Sequence, residues 1–390
     1  MSPRTYLDYN ATAPMRPQAA DAMAAVLGET GNPSSVHAEG RRAREHVEAA
    51  REKVASLVNA KPRNVIFMSG GTEANMTALT PRVVAPEDTS GAHCFVSVIE
   101  HPSVLCGGRF EARDVSKIAV GAEGTIDVSG FAAQLQAYRS RNPNAPFMAS
   151  VMLANNETGA IQPVAEIAEL VHGFDGILHC DGVQAAGKIG IDMVSLGVDM
   201  LALSAHKMGG PQGVGALVLG AGAENFSGPL LRGGGQELRR RAGTENVAGI
   251  VGFGVAVEIA ARDSGDFQRI GQLRDELERQ TKSVSPDVVV FAEDAPRLAN
   301  TSCFAVPGMK AETCVIGLDL EGVAVSAGSA CSSGKVEHSN VLEAMGVDQG
   351  LAECAVRVSL GWKTQAGDIE RFIAAWSPIH HRFQEQAQAA

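Results

Sequence analysis

The chain has 390 residues, 45% hydrophobic and 20% charged, with 43 glycines and a formal net charge of -11. That acidity argues against a nucleic-acid backbone as the main partner, and no run reaches the roughly 18 unbroken apolar residues of a membrane helix. The length sets an expectation of two domains, one large and one smaller, and the glycine content suits an α/β protein with many tight strand-to-helix turns.

Apolar periodicity places a helix over residues 41–58, with Val47, Val54, Leu57 and Val58 on one side. The run Val65-Ile66-Phe67-Met68 then breaks into Ser69-Gly70-Gly71-Thr72-Glu73, the pattern of strand, glycine turn and helix start. Short buried strands are expected at 94–99, 147–153, 176–180 and 200–204, with a helix over 164–172 and one more strand at 213–219. Buried strands linked by helices imply a mostly parallel sheet. A long helix is expected over 244–261 and another over 267–283, with a domain boundary around 260–266. The remainder mixes strands at 288–291, 323–326 and 355–360 with helices at 311–320, 340–345 and 365–388, an α+β pattern. The N-terminal residues lack the apolar stretch of a signal peptide, so a cytoplasmic protein is expected.

Seven cysteines stand at 94, 106, 180, 303, 314, 331 and 354, an odd count with no C-x-x-C pair. A disulfide framework or structural zinc site is therefore not expected. Cys94 and Cys180 lie in strand-like runs and read as small buried hydrophobes. Cys331 differs, because Gly328, Ser329, Ala330, Ser332, Ser333 and Gly334 around it read as an exposed loop, where a thiol invites a chemical explanation.

Four segments carry candidate chemistry. In Met200-Leu201-Ala202-Leu203-Ser204-Ala205-His206-Lys207-Met208-Gly209-Gly210, an apolar strand delivers Ser, His and Lys into a glycine turn, where a lysine can bind an aldehyde cofactor. Alone, the segment reads equally as a surface loop. Ile177-Leu178-His179-Cys180-Asp181 ends a strand in a carboxylate that can hold a pyridine nitrogen protonated, or simply cap the turn that follows. The stretch from Gly182 to Lys188 is similar to a nucleotide-binding loop, but Ile189 stands where Ser or Thr must bind magnesium. Gly71 and Thr72 at a helix start can meet a phosphate with backbone N–H and hydroxyl groups, although a plain helix start needs no ligand. His101, in Glu100-His101-Pro102-Ser103, can lie over a flat ring; His37, His93 and His172 are taken as structural.

Taken together and in this order, the segments resemble the cysteine desulfurases of the NifS/IscS type, within the fold-type I pyridoxal-phosphate enzymes. The likeness runs from Tyr6-Leu7-Asp8-Tyr9-Asn10-Ala11-Thr12 and Gly31-Asn32-Pro33-Ser34-Ser35-Val36-His37 through Asn155-Asn156-Glu157-Thr158-Gly159 and Ser204-Ala205-His206-Lys207. It continues in Arg241-Ala242-Gly243-Thr244-Glu245-Asn246, Ser326-Ala327-Gly328-Ser329-Ala330-Cys331 and Val356-Arg357-Val358-Ser359-Leu360. The resemblance implies a large domain over 16–260, with a mostly parallel central sheet flanked by helices. It implies a smaller α+β domain from 1–15 and 261–390, carrying a cysteine loop at about 326–337.

The resemblance also implies site roles. Lys207 links covalently to pyridoxal 5'-phosphate, Asp181 pairs with the pyridine nitrogen, Gln184 with the ring hydroxyl, and His101 stacks on the ring. Gly71, Thr72, Ser204 and His206 hold the phosphate, Thr244 reaches the phosphate of the partner subunit in a homodimer with shared sites, and Asn156 touches cofactor and substrate. Arg357, with Asn156, grips the carboxylate of L-cysteine. The Cys331 thiolate attacks the substrate sulfur, with His101 as a candidate proton acceptor, giving alanine and a persulfide for a sulfur acceptor such as an iron–sulfur scaffold. No metal is implied. One departure stands beside the loop: Glu337-His338-Ser339 replaces the usual Glu-Pro-Ser. Other readings are a selenocysteine lyase, another class-V aminotransferase, or a non-catalytic sulfur-transfer adaptor. The intact Lys207, Asp181, His101 and Cys331 speak against the adaptor. The run Arg239-Arg240-Arg241 reads as a solvated or dimer-edge feature, and the polar C-terminus as a fraying helix end that leaves scaffold docking open.

Overall fold

The computed structural model describes residues 4–224, 226, 228–328 and 339–389. Its strands are, in chain order, β1 (Thr5–Tyr6), β2 (Val65–Met68), β3 (His93–Ser97), β4 (Val115–Ile118), β5 (Phe147–Met152), β6 (Ile177–Asp181) and β7 (Met200–Ser204). After these come β8 (Gly215–Leu219), β9 (Val289–Val290), β10 (Thr301–Ala305), β11 (Val323–Ala324), β12 (Ser326–Ala327) and β13 (Ala355–Ser359). Seven of them form a central sheet in the order β2-β8-β7-β6-β5-β3-β4. Only β8 opposes its neighbours, pairing antiparallel with β2 and β7, while β7-β6-β5-β3-β4 is parallel throughout. The chain thus has the mostly parallel α/β fold expected of it.

Both faces of this sheet are dry, which explains the unbroken apolar runs of its strands. Alternate residues such as Phe67, Phe95, Phe147, Leu178 and Leu203 point to one face, against Val47 and Val54 of helix Ala38–Leu57 and Phe253 and Val257 of helix Val247–Arg262. Ile66, Met68, Cys94, Val96 and Met200 point to the other, against Ala74 and Ala78 of helix Gly71–Ala78. Gly254 sets the spacing of the first pair of helices, because a Cβ there would stand 2.8 Å from the Ala50 Cα. Cys94 and Cys180 are fully buried in these layers, as their strand-like settings suggested.

A second sheet, β12-β13-β10-β9, is antiparallel and covered by helices Phe267–Val284 and Ala366–Ala389. Its core centres on Phe304, Phe372 and Trp376, whose rings pack at 5.5 to 6.4 Å. The N-terminal β1 pairs in parallel with β11, and Leu7 is buried in this same core. The residues that follow then pass over the C-terminal edge of the large sheet. This crossing brings Asp8 and Asn10 to the junction between the two sheets.

Two expectations need correction. The strand expected over 323–326 is two strands split at Val325, because β11 pairs with β1 while β12 turns to pair with β13. The helix expected over 244–261 is Val247–Arg262, opened by the Asn246 side chain, which accepts from Gly249 N at 3.1 Å. Thr244 therefore lies before the helix and is exposed.

Candidate active site

A parallel strand followed by a helix leaves its carboxyl end open, and crevices form where several such ends meet. Here the segments leaving β3, β5, β6 and β7, with the start of helix Gly71–Ala78, close around a cavity of about 290 Å³. Of the expected site residues, Gly71, Thr72, His101, Asn156, Asp181, Gln184, Ser204, His206, Lys207 and Arg357 all line it. Thr244 does not. Cys331 and its neighbours from 329 to 338, including Glu337 and His338, lie outside the described residues.

One wall is anionic and firmly held. Asp181, at the end of β6, accepts from Val183 N at 2.9 Å through Oδ1 and from Asn75 Nδ2 at 2.8 Å through Oδ2. It thus serves as the turn cap foreseen for it while still facing the cavity. Asn75, which also donates to Ser103 Oγ at 3.0 Å, stands one turn into the helix that begins at Gly71. At that helix start the first N–H groups have no intrahelical acceptor. Gly71 is required there, since a Cβ would come 2.8 Å from Val183 Cγ2. Ser204 and His206, leaving β7, line the same cavity.

His101 caps the short helix Pro102–Leu105 and its Nδ1 accepts from Ser103 N at 3.1 Å. A neutral imidazole with Nδ1 as acceptor carries its proton on Nε2. Burial holds His101 below its ordinary value, against the opposing pull of Asp181 and with help from Lys207. Burial and then the Lys207 charge push His206 down to about 4, so both rings are neutral near pH 7. Lys207 Nζ donates to the carbonyls of Asn10 at 2.5 Å and Ala11 at 2.9 Å.

The opposite wall belongs to the second sheet. Arg357, on β13 and 1% exposed, donates to Asp8 Oδ1 at 2.8 Å and Asn156 O at 3.2 Å, while its Nε has no partner among the described residues. Asp8 also accepts from Ser326 Oγ at 2.8 Å, tying this arginine to β12. Beside it, burial raises Glu157 to about 7, even though Ser339 donates to it and Arg357 is near. The folded state therefore keeps a proton on Glu157 that the unfolded chain releases at the ordinary glutamate value of 4.5. Stability from this group is full below pH 4.5 and is lost as pH rises through 7. Glu157→Gln is expected to match wild type in thermal unfolding at pH 4.5 and to exceed it at pH 8 by on the order of 3 kcal/mol. Equal stability of the two proteins at pH 8 would contradict this assignment.

Sequence reasoning missed the residue that joins the site. The Asn10 carbonyl accepts from Lys207 and from Gln184 Nε2 at 3.0 Å. Its side-chain amide donates to Thr301 Oγ1 at 2.9 Å and Asn156 O at 3.2 Å, and its Oδ1 accepts from Asn300 and Lys188. These partners are 146 to 291 residues away in the chain, so no local pattern marks Asn10.

The profile of the aminotransferase class-V family matches residues 5–372. A cysteine desulfurase of Cereibacter sphaeroides is 42% identical over 96% of this chain and 95% of its own length. The cysteine desulfurase IscS of Dictyoglomus turgidum is 40% identical over 95% of this chain and 92% of its own. Among solved structures, a NifS-like protein from Rickettsia africae superposes with a TM-score of 0.85 at 31% identity, over 97% of this chain and 99% of that one. The chain belongs to the class-V aminotransferase family and, within it, to the cysteine desulfurases of the NifS/IscS type.

Proposed function

We propose that this protein is a cysteine desulfurase that uses pyridoxal 5'-phosphate to take sulfur from L-cysteine, releasing L-alanine and leaving a persulfide on Cys331. The observation that carries the reading is the donor set around one small cavity: an amine, a buried carboxylate, a helix start and a guanidinium. That set fits the cofactor. Gly71, Thr72, Ser204 and His206 are grouped as phosphate partners, Asp181 faces the cavity as a partner for a protonated pyridine, and Lys207 supplies the amine. Arg357 and Asn156 both line the cavity, where a substrate carboxylate is to be held between them.

Pyridoxal phosphate, when bound, supplies an electron sink for the pair left on an α-carbon that loses its proton. The rest falls to the chain. With the cofactor bound, Lys207 would be the base for the α-proton and would return it to the product. Asn10 and Ala11 carbonyls keep its Nζ at the cavity rim meanwhile. His101 presents an N–H at Nε2, so the first proton it can move is one it gives; taking a proton from the Cys331 thiol at Nε2 requires release of the Ser103 contact. We further propose a homodimer in which Thr244 completes the partner's phosphate site, a domain division at about 260, a cytoplasmic setting and a protein sulfur acceptor such as an iron–sulfur scaffold. Among the described residues no helix is long and apolar enough to cross a membrane.

The test is direct. Purified protein with L-cysteine and a reductant is expected to form alanine and sulfide in equal amounts. Yellow protein that yields neither from cysteine, but alanine and selenide from selenocysteine, would replace the proposal with its closest rival.

A further inference from the structure

We propose that Lys188 is a positioning residue, a buried amine behind the cavity that fixes the Gln184 side chain with its N–H end toward the ring oxygen of the cofactor. This rests on the reading that the cavity holds pyridoxal phosphate. Lys188 stands four residues after Gln184, on the turns that leave β6, and is only 7% exposed. Its Nζ donates to Gln184 Oε1 at 2.9 Å and to Asn10 Oδ1 at 2.8 Å. It does not line the cavity, although Gln184 does.

The donor count explains why an amine is used. A neutral amine has two N–H groups, and two oxygens receive them here; an ammonium would carry a third proton into a buried site. Among the described residues no carboxylate pairs with Lys188, and burial followed by the charges of Lys207 and Arg357 holds it well below the ordinary lysine range. Because the amine engages Oε1, the Gln184 amide cannot turn its oxygen inward without losing that bond. Its Nε2 donates one N–H to the Asn10 carbonyl at 3.0 Å, and the residue lines the cavity, so the second N–H is assigned to the ring oxygen. An N–H is the right group to meet an anionic ring oxygen, and an inward carbonyl is the wrong one. Lys188 also braces Asn10, whose carbonyl receives Lys207, so one amine steadies two groups of the site.

The experiment measures binding by protein stripped of cofactor. It compares pyridoxal 5'-phosphate with its 3-deoxy analogue, which lacks the ring oxygen, in wild type, Gln184→Ala, Lys188→Met and Lys188→Gln. Loss of a hydrogen bond to a charged oxygen is worth about tenfold or more in affinity. Wild type is expected to prefer the hydroxylated compound by about that factor, and Gln184→Ala and Lys188→Met to lose most of the preference. Lys188→Gln, a shorter donor that still fills the site with a polar group, is expected to fall between them. It carries the test if the methionine variant does not fold. General loosening weakens both compounds alike and leaves the ratio unchanged. If Lys188→Met, or failing that Lys188→Gln, keeps the wild-type ratio while Gln184→Ala loses it, the role given to Lys188 is wrong and the cavity reading stands. If Gln184→Ala also keeps it, the amide has no ring oxygen to meet and the proposal falls. Wild-type protein that binds neither compound removes the cavity reading and the proposal with it.

Discussion

Lys207→Ala is expected to abolish alanine and sulfide production from L-cysteine and the yellow colour, whereas Cys331→Ala is expected to abolish sulfide and keep the colour. The two losses differ because the side chains do different work. Lys207 rises from the turn after β7 with its Nζ on two backbone carbonyls, where the expected cofactor link and proton relay coincide. Losing the proton relay alone costs roughly 10²–10⁴ in rate, and losing the covalent link adds to it. In the proposed reaction Cys331 attacks sulfur and is given no part in holding the cofactor, so its loss is expected to leave the absorbance intact. Spectra of both variants, with alanine and sulfide measured on the same samples, separate the roles. A Cys331→Ala protein that still releases sulfide at the wild-type rate would show that another group takes the sulfur, and Lys207→Ala with wild-type turnover would remove the lysine from the mechanism.

How much of this was readable in the sequence depended on whether a signal was local. The strands β2, β3, β5, β6, β7 and β8 were found because strands buried on both faces must be apolar throughout, and each ends in residues with little other reason to be together. β4 was missed because it is an edge strand of mixed pattern, with Lys117 exposed. β10 was missed for the opposite reason: Thr301 and Ser302 are buried polar residues in a run that looks like a loop, and Thr301 is there to receive the Asn10 amide. The helices Pro17–Leu27 and Val128–Arg141 were also missed, the first because alanines blur its apolar stripe and the second because its buried Phe131, Leu135 and Tyr138 are set among polar residues. Motif residues that meet the cavity through their own strand were legible one segment at a time. The network around Asn10, Asp8 and Lys188 was not, because it exists only where the N-terminal segment crosses both sheets.

Glu237→Ala is expected to cost about 3–5 kcal/mol of unfolding free energy, the largest stability loss of any substitution considered. The carboxylate is nearly buried and grips the Arg51 guanidinium with both oxygens, at 2.7 and 2.9 Å, while Oε2 also accepts from Phe67 N at 3.0 Å. Arg51 lies over the Phe67 ring at 4.9 Å, and with Glu237 removed its buried charge is left to the half-exposed Glu48 carboxylate, 3.1 Å from Nε. Breaking the buried side of such a pair leaves the ion poorly compensated, which is the costly case. A second term works against part of that loss. Glu237, Leu238 and Arg239 all have left-handed backbone, with φ of 47°, 56° and 66°, and each such non-glycine residue costs about 1–2 kcal/mol. The ion pair is what holds this turn against its own strain, and without it the segment relaxes toward ordinary φ. Chemical denaturation of wild type, Glu237→Ala and Arg51→Met/Glu237→Met distinguishes the terms: the double variant, which buries no charge, is expected to recover a substantial part of the loss. A single variant as stable as wild type would show that the pair contributes little to stability and that the 237–239 turn keeps its conformation without it.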